Sequence, residues 1–318
     1  MPLFLVTGGA GFIGSHLVDA LLARGDRVRV LDDLSTGQAE NLAPHQPGEL
    51  GSGSPVEWLR ASVADAAACE AACAGVDGIF HEAAEVSVPK SVAEPRKSYE
   101  VNALGTLNML EGARAAGVPR LVFAASSAAY GDGQELPKRE DQTPSPLSPY
   151  AAGKIAGEHL LKVWAEVYGL HTVALRYFNV FGPRQRDDSP YTGVIAIFAR
   201  ALLDDRAPTI YGDGEQTRDF TYVTNVIEAN LAAMDAQGAS GRVYNVGGGE
   251  RISLNQLFQA MAEKLGKPLA PTYAPARTGD VKHSLASIER AERDLGWRPR
   301  VDWREGLEKT LDWYRAGH

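Results

Sequence analysis

Cysteine is nearly absent: Cys69 and Cys73 are the two in 318 residues. So few exclude a disulfide-stapled scaffold and make the cytoplasm the default compartment. They sit four apart in an alanine-rich stretch, on one face of a predicted helix, with no histidine or carboxylate cluster beside them, so no metal site is expected. Long hydrophobic runs are missing too. None approaches the ~18 residues of a membrane span. The apolar start Met1-Pro2-Leu3-Phe4-Leu5-Val6 has no basic region before it and runs straight into glycines, so it reads as a strand and not as a signal peptide. Positive charge is in deficit, with a formal net charge of −8. That disfavours nucleic acid and anionic membranes as partners, although a few placed arginines would suffice for an anionic small molecule. Internal repeats and low-complexity tails are also lacking.

What is present suits one large α/β domain or two interleaved ones. Strand-like segments at 3–6, 27–31, 78–81, 120–124 and 172–177 alternate with helical patterns at 14–23 and 99–116. Such alternation predicts βαβ units and a doubly wound parallel sheet. The stretch 46–55 reads as a surface loop, and 182–191 leaves the sheet for a second lobe. Ser253 followed by Gln256 forms a capping box for a helix running to about Leu265. The expected division is a dinucleotide-binding domain of 1–182 plus 219–248 and a smaller, largely C-terminal substrate-binding lobe of 183–218 plus 249–318. The last third lacks clean alternation and leaves its topology open.

Val6-Thr7-Gly8-Gly9-Ala10-Gly11-Phe12-Ile13-Gly14 lies between the first strand and the first helix. Glycines at 8, 11 and 14 permit a tight turn, close approach of a pyrophosphate to the backbone, and tight packing of helix on strand. The helix N-terminus beyond them offers unpaired N–H groups to phosphate oxygens. Asp32 lies 24 residues after Gly8, at the end of the second strand. A carboxylate there accepts from a ribose 2′-OH and repels a 2′-phosphate, which favours NAD over NADP. The same aspartate could also simply cap its strand.

Tyr150 and Lys154 are four apart in Ser148-Pro149-Tyr150-Ala151-Ala152-Gly153-Lys154, with Pro149 at a helix start and the helical pattern running to Tyr168. They therefore share one helix face. A nearby ammonium favours the phenolate and is expected to lower the tyrosine from its ordinary ~10 towards a usable range. Alone, this pair also describes a surface helix. Ser126 ends a strand, where ligands of open α/β sheets bind, and can hydrogen-bond both a substrate hydroxyl and the tyrosine.

Gly8-x-x-Gly11-x-x-Gly14, the Ser126 segment and Tyr150-x-x-x-Lys154 together resemble the extended short-chain dehydrogenase/reductases with their Rossmann sheet, and within them the UDP-glucose and UDP-N-acetylglucosamine 4-epimerases. The likeness covers essentially the whole chain and extends to 176–183, to Gly212-Asp213-Gly214 with Arg218-Asp219-Phe220, and to 277–284. It implies a homodimer built through helices 99–116 and 150–168, and Ser126, Tyr150 and Lys154 as the catalytic set. It further implies an NAD site of Gly8, Gly11, Phe12, Ile13, Gly14, Asp32, Asp33, Ser35, Gly37, Ser62, Val63, Ala83, Ala84, Tyr150, Lys154 and Tyr177. The UDP-sugar would meet Ser87, Ser126, Asn179, Val194, Tyr211, Arg218, Arg277, Asp280 and Ser284. A small residue at 284 implies room for a 2-acetamido group. Ser127, Ala128 and Ala129 stand where dehydratases and decarboxylases of the family carry an acid, which disfavours those chemistries. Ser62 and Glu85 depart from the usual pattern, an aspartate near adenine and a neutral residue near the sugar. A uronic acid 4-epimerase, a sugar-nucleotide reductase and a non-catalytic NAD-binding protein are the alternatives. Asn179 speaks mildly against the first, and the intact Tyr-Lys pair against the last.

Overall fold

Leu3–Thr7 (β1) is buried along its whole length. A strand with no solvent face belongs inside a sheet covered on both sides. In the computed structural model, which describes residues 1–186, 193–276 and 282–317, β1 is the fifth of seven strands in one sheet. The others are Arg27–Leu31 (β2), Val56–Leu59 (β3), Gly78–His81 (β4), Arg120–Ser126 (β5), His171–Tyr177 (β6) and Arg242–Val246 (β7). The order is β7-β6-β5-β4-β1-β2-β3, and every ladder is parallel. Strand order reverses at β1, which opens a crevice at the carboxyl ends of β1 and β4.

Alternation along the strands assigns the two faces. Phe4, Val6, Val28 and Val30 pack with Leu17, Val18 and Leu21 of helix Phe12–Ala23 (α1) and with Val226 of a later helix. Leu3, Leu5 and Ile79 face Ala66–Cys73 (α2), Gly105–Ala116 (α3) and Pro149–Tyr168 (α4). Cys69 and Cys73 are buried on the inner face of α2, where burial pushes both thiols up to about 12. A Cβ on Gly112 of α3 would come to 3.1 Å from both the Cys69 carbonyl oxygen and the Cys73 sulfur, so glycine there lets the two helices pack closely.

The helix expected over 99–116 is instead three pieces: Pro95–Tyr99, a π turn at Glu100–Leu104, and α3. Asn102, in the π turn, donates to the Glu85 carbonyl (3.1 Å) and accepts from the Glu85 N–H (3.0 Å). The irregular turn thereby fixes the loop that leaves β4, consistent with π turns gathering near functional sites.

Beyond β6, short strand pairs build the lobe: Val180–Phe181 with Thr221–Tyr222, Thr217–Arg218 with Ile252–Ser253, and Thr209–Tyr211 with Thr272–Ala274. Helices Val194–Leu203 (α5), Val223–Asp235 (α6), Leu254–Leu265 (α7) and Trp303–Arg315 (α8) cover them. The capping box is present at α7, with Ser253 and Gln256 bonding reciprocally. Asp219 crosslinks the lobe by accepting from Gly248 N (2.6 Å) and Ala286 N (2.9 Å). Among the described residues no helix is long and apolar enough to cross a membrane.

Candidate active site

The crevice at the sheet's switch point opens into a cavity of about 600 Å³. That volume lies in the range of small-molecule sites. One wall is the glycine loop. Gly8 has φ +68°, and a Cβ there would sit 2.9 Å from Ala83 N. A Cβ on Gly14 would lie 2.1 Å from the Gly8 carbonyl oxygen, an impossible contact, so Gly14 is what lets α1 descend onto β1. Gly11 caps α1 without any side-chain hydrogen bond, and the first turn carries no acid. The open N–H groups and the helix dipole therefore favour a phosphate at this point.

At the end of β2, Asp32 is buried; its carboxylate accepts from Ala10 N (2.9 Å) and Leu34 N (2.8 Å). Burial pushes it above the usual carboxylate range, with these two hydrogen bonds opposing. Asp33 is held below its usual range: burial pushes it up, but hydrogen bonds from Ser35 and then Ser62 prevail. Asp32, Asp33, Ser35, Ser62, Val63, Ala83 and Ala84 all line the cavity together with Phe12 and Ile13. Gly37 does not line it; a Cβ there would meet Asp32 Oδ1 at 2.9 Å, so it supports the aspartate from behind.

Ser126, Tyr150 and Lys154 converge on the same cavity. Ser148 caps α4 by accepting from Ala151 N (3.2 Å), Pro149 opens the first turn, and Tyr150 N donates to Ser91 Oγ (3.2 Å). Tyr150 and Ser126 line the same part of the cavity, and the Ser126 hydroxyl accepts from Ala128 N (3.2 Å). Burial raises the Tyr150 phenol above the usual tyrosine range, and the Ser126 hydroxyl pulls the other way. The lowering expected from Lys154 is not seen. The ammonium is directed to the Ala124 carbonyl (2.7 Å) and lies 4.8 Å from the Phe123 ring centre. Burial lowers Lys154 to about 8, against the fields of Glu82 and Glu158.

No local pattern marks Glu82 as a site residue. It follows β4, lines the cavity, and its Oε1 accepts from Tyr177 Oη (2.9 Å), which in turn accepts from Asn230 Nδ2 (2.7 Å). These partners are 95 and 148 positions away, so only the fold could reveal them. Glu85 is buried, and Lys90 Nζ donates to its carboxylate at 2.5 Å. Arg184 and Arg186 also line the cavity. Arg184 pairs with Asp19 of α1 (2.8 Å) and Arg186 donates to the Thr36 carbonyl (3.2 Å), which ties the start of the lobe to the cofactor loop.

The residues expected at the sugar are less gathered. Ser87 lines the cavity, but its hydroxyl accepts from Lys90 N (3.2 Å) and caps the helix Val88–Ala93. Asn179 and Ser284 meet: Asn179 Nδ2 donates to Ser284 Oγ (3.4 Å) and to the Asp219 carbonyl (3.0 Å). Arg218 donates to the Thr217 and Lys282 carbonyls. Tyr211 is exposed on its strand, and Val194 begins α5 against the core. None of Asn179, Val194, Tyr211, Arg218 and Ser284 lines the cavity that holds Tyr150. Arg277 and Asp280 lie outside the described residues.

A sequence model of the NAD dependent epimerase/dehydratase family matches residues 4–247. The chain is 42% identical to a UDP-glucose 4-epimerase from Mycolicibacterium smegmatis, over 98% of both chains. Its fold is similar to that of a UDP-N-acetylglucosamine 4-epimerase from Methanobrevibacter ruminantium in complex with UDP-N-acetylmuramic acid (38% identity, TM-score 0.92, 100% and 99% of the two chains covered). It is also similar to that of a UDP-glucose 4-epimerase from Thermus thermophilus in complex with NAD (41% identity, TM-score 0.87, 99% and 100% covered).

Proposed function

The chain belongs to the NAD dependent epimerase/dehydratase family, whose cofactor is NAD, and from that premise we propose that it is a UDP-sugar 4-epimerase acting on UDP-N-acetylglucosamine and UDP-N-acetylgalactosamine, and also on UDP-glucose and UDP-galactose. One observation carries the reading: Ser126, Tyr150 and Lys154 meet in the cavity that the glycine loop opens. The glycine cradle, the bare end of α1 and the Asp32 carboxylate fit a dinucleotide.

When bound, NAD would supply the hydride acceptor for C4 of the sugar and the same hydride for its return on the opposite face. Tyr150, as the phenolate that the positive charge of a bound nicotinamide would favour, takes the proton of the sugar 4-OH, relayed or steadied by Ser126, and gives it back when the hydride returns. Ser126 also keeps the oxygen at C4 in reach of the phenol. Lys154 holds the nicotinamide ribose. The family's acidic neighbour is absent, since Ser127, Ala128 and Ala129 follow Ser126, so no side chain there promotes elimination or decarboxylation. Asn179, Arg218, Arg277 and Asp280 hold the nucleoside diphosphate, the two arginines pairing with its phosphate oxygens through the planar guanidinium fork. The keto sugar then turns about that anchor. Ser284 leaves space for an acetamido group.

The same proposal includes the domain division 1–182 plus 219–248 against 183–218 plus 249–318, a cytoplasmic site of action, and a homodimer. Exposed Tyr99, Leu104, Val163 and Val167 support the last. With Leu107 and Leu160, three of them line a shallow apolar groove between the π turn and α4, a face that a second copy would cover.

The test incubates the purified protein, without added nicotinamide, with UDP-N-acetylglucosamine or UDP-glucose and follows the anomeric protons by NMR. Galacto-configured product from both is expected. Reaction of the glucose sugar alone would overturn the Ser284 argument, and reaction of neither would overturn the epimerase reading.

A further inference from the structure

Glu82 is a half-buried acid at the cofactor end that the mechanism above does not use. Its carboxylate is anchored through Oε1 by the Tyr177 hydroxyl, which is itself fixed by Asn230. What remains exposed of the side chain faces the cavity it lines. Its backbone is equally fixed, because Glu82 N donates to the Thr7 carbonyl (3.3 Å) and the next residue packs against Gly8. The charges around it are few. Lys154 acts on it as a cation. Glu158, the other acid that Lys154 feels, is already bound in two places by Arg176 (2.8 and 2.7 Å). His81, one residue away, is enclosed by Thr7 and Thr106, and burial brings it down to about 3, so it contributes no charge.

Two cations would therefore share this pocket, the Lys154 ammonium and the ring of oxidised NAD. A buried cation is costly unless an anion accompanies it. We propose that Glu82 is a positioning residue for the cofactor: its carboxylate is the counter-charge for Lys154 and for the bound nicotinamide, and it biases the bound cofactor towards its oxidised, cationic form. This rests on the assignment of Lys154 and Tyr177 to the nicotinamide end. The consequence suits an enzyme that must regain oxidised NAD in every cycle. With the anion present, the reduced cofactor is the less favoured state and returns its hydride readily.

The sign can be worked out. Burial pushes Glu82 up to about 7, with the Tyr177 hydrogen bond and Lys154 opposing. The anion is thus fully present above that range and is lost as pH falls through it. Glu82→Gln keeps an acceptor for Tyr177 and removes the charge. The measurement is the ratio of the dissociation constants for NADH and NAD, read from NADH fluorescence and its displacement by NAD, with no sugar present. The expected result is that Glu82→Gln shifts the ratio towards NADH by about tenfold or more at pH 8.5, the scale of one unit charge roughly 10 Å away in a pocket of effective dielectric about 20. Glu82→Asp, which keeps the charge, brings the ratio back towards the wild-type value at that pH. In the unsubstituted protein the ratio moves towards NADH as pH falls, Lys154 gaining its proton near 8 and Glu82 losing its charge near 7; the step through the Glu82 range is the part that Glu82→Gln abolishes. Equal weakening of both cofactor forms in Glu82→Gln, or a pH profile of the ratio that Glu82→Gln leaves unchanged, would show a merely structural acid and overturn the proposal. Since no sugar is used, failure of this idea is distinguishable from failure of the epimerase reading, in which the cofactor ratio shifts while no sugar reacts.

Discussion

The two ends of the site are built by opposite means. The cofactor end is made of backbone: a glycine loop and the loops that follow β1, β2 and β4, held by a sheet buried on both faces. The end proposed for the sugar relies on side chains carried on two-residue strands and on segments drawn from 87 to 284. A backbone site is specified by where glycine is required and is intolerant of any added atom. A side-chain site can be altered one group at a time without loss of the fold. The cofactor end should therefore fail as a unit, and the sugar end should change its selectivity.

Four predictions sharpen or break that contrast. The largest effect is expected from Tyr150→Phe, which removes the proton-transferring hydroxyl. Turnover should fall by about 10²–10⁴-fold while bound NAD, measured in the supernatant after denaturation, stays at the wild-type level. Gly14→Ala comes next. The added carbon has no room beside the Gly8 carbonyl, so the variant should lose its NAD and about 1–3 kcal/mol of stability, seen together in cofactor content and chemical denaturation. Loss of activity with NAD retained would break the idea of a backbone-built end. Ser284→Tyr should act on selectivity alone. The N-acetylated sugar should be disfavoured relative to the plain one by roughly 10–200-fold, the range open to a steric pocket, with NAD content and fold unchanged; kcat/KM for both sugars reads it. The smallest effect is in pH. Lys154 titrates at about 8 in the folded protein and near ~10.4 unfolded. Activity should decline as pH rises through 8 and the ammonium is lost. Across the same window the unfolded chain holds the extra proton, so this group adds stability as pH rises. Activity and denaturation midpoint, measured from pH 7 to 10, should move in opposite directions for this group.

The contrast also explains what could be read from the residues alone. The glycine loop, Asp32 and the Tyr150–Lys154 pair are short-range patterns with a fixed place relative to a strand or helix, so they were legible. The parallel sheet followed from alternation, although β3 and β7 carried too little pattern to be picked out in advance. The break at Glu100–Leu104 was missed because the apolar spacing continues through it; Pro95 and Gly105 were its only local marks. The Glu82–Tyr177–Asn230 chain had no local mark at all. It joins the ends of β4 and β6 to α6 and exists only once the sheet is assembled. At the sugar end, resemblance named single residues, but the spatial relations among Asn179, Arg218 and Ser284 depend on strand pairs too short to carry a periodic signal.

The central claim is a transient oxidation at C4 by a cofactor that never leaves. UDP-glucose carrying deuterium at C4 tests it most directly, incubated with the protein as purified and with excess unlabelled NADH in solution. The account predicts galacto-configured product that keeps the deuterium at C4, because the hydride returns to the carbon it left. Product that has lost the deuterium to solvent or to the free nicotinamide pool would contradict it.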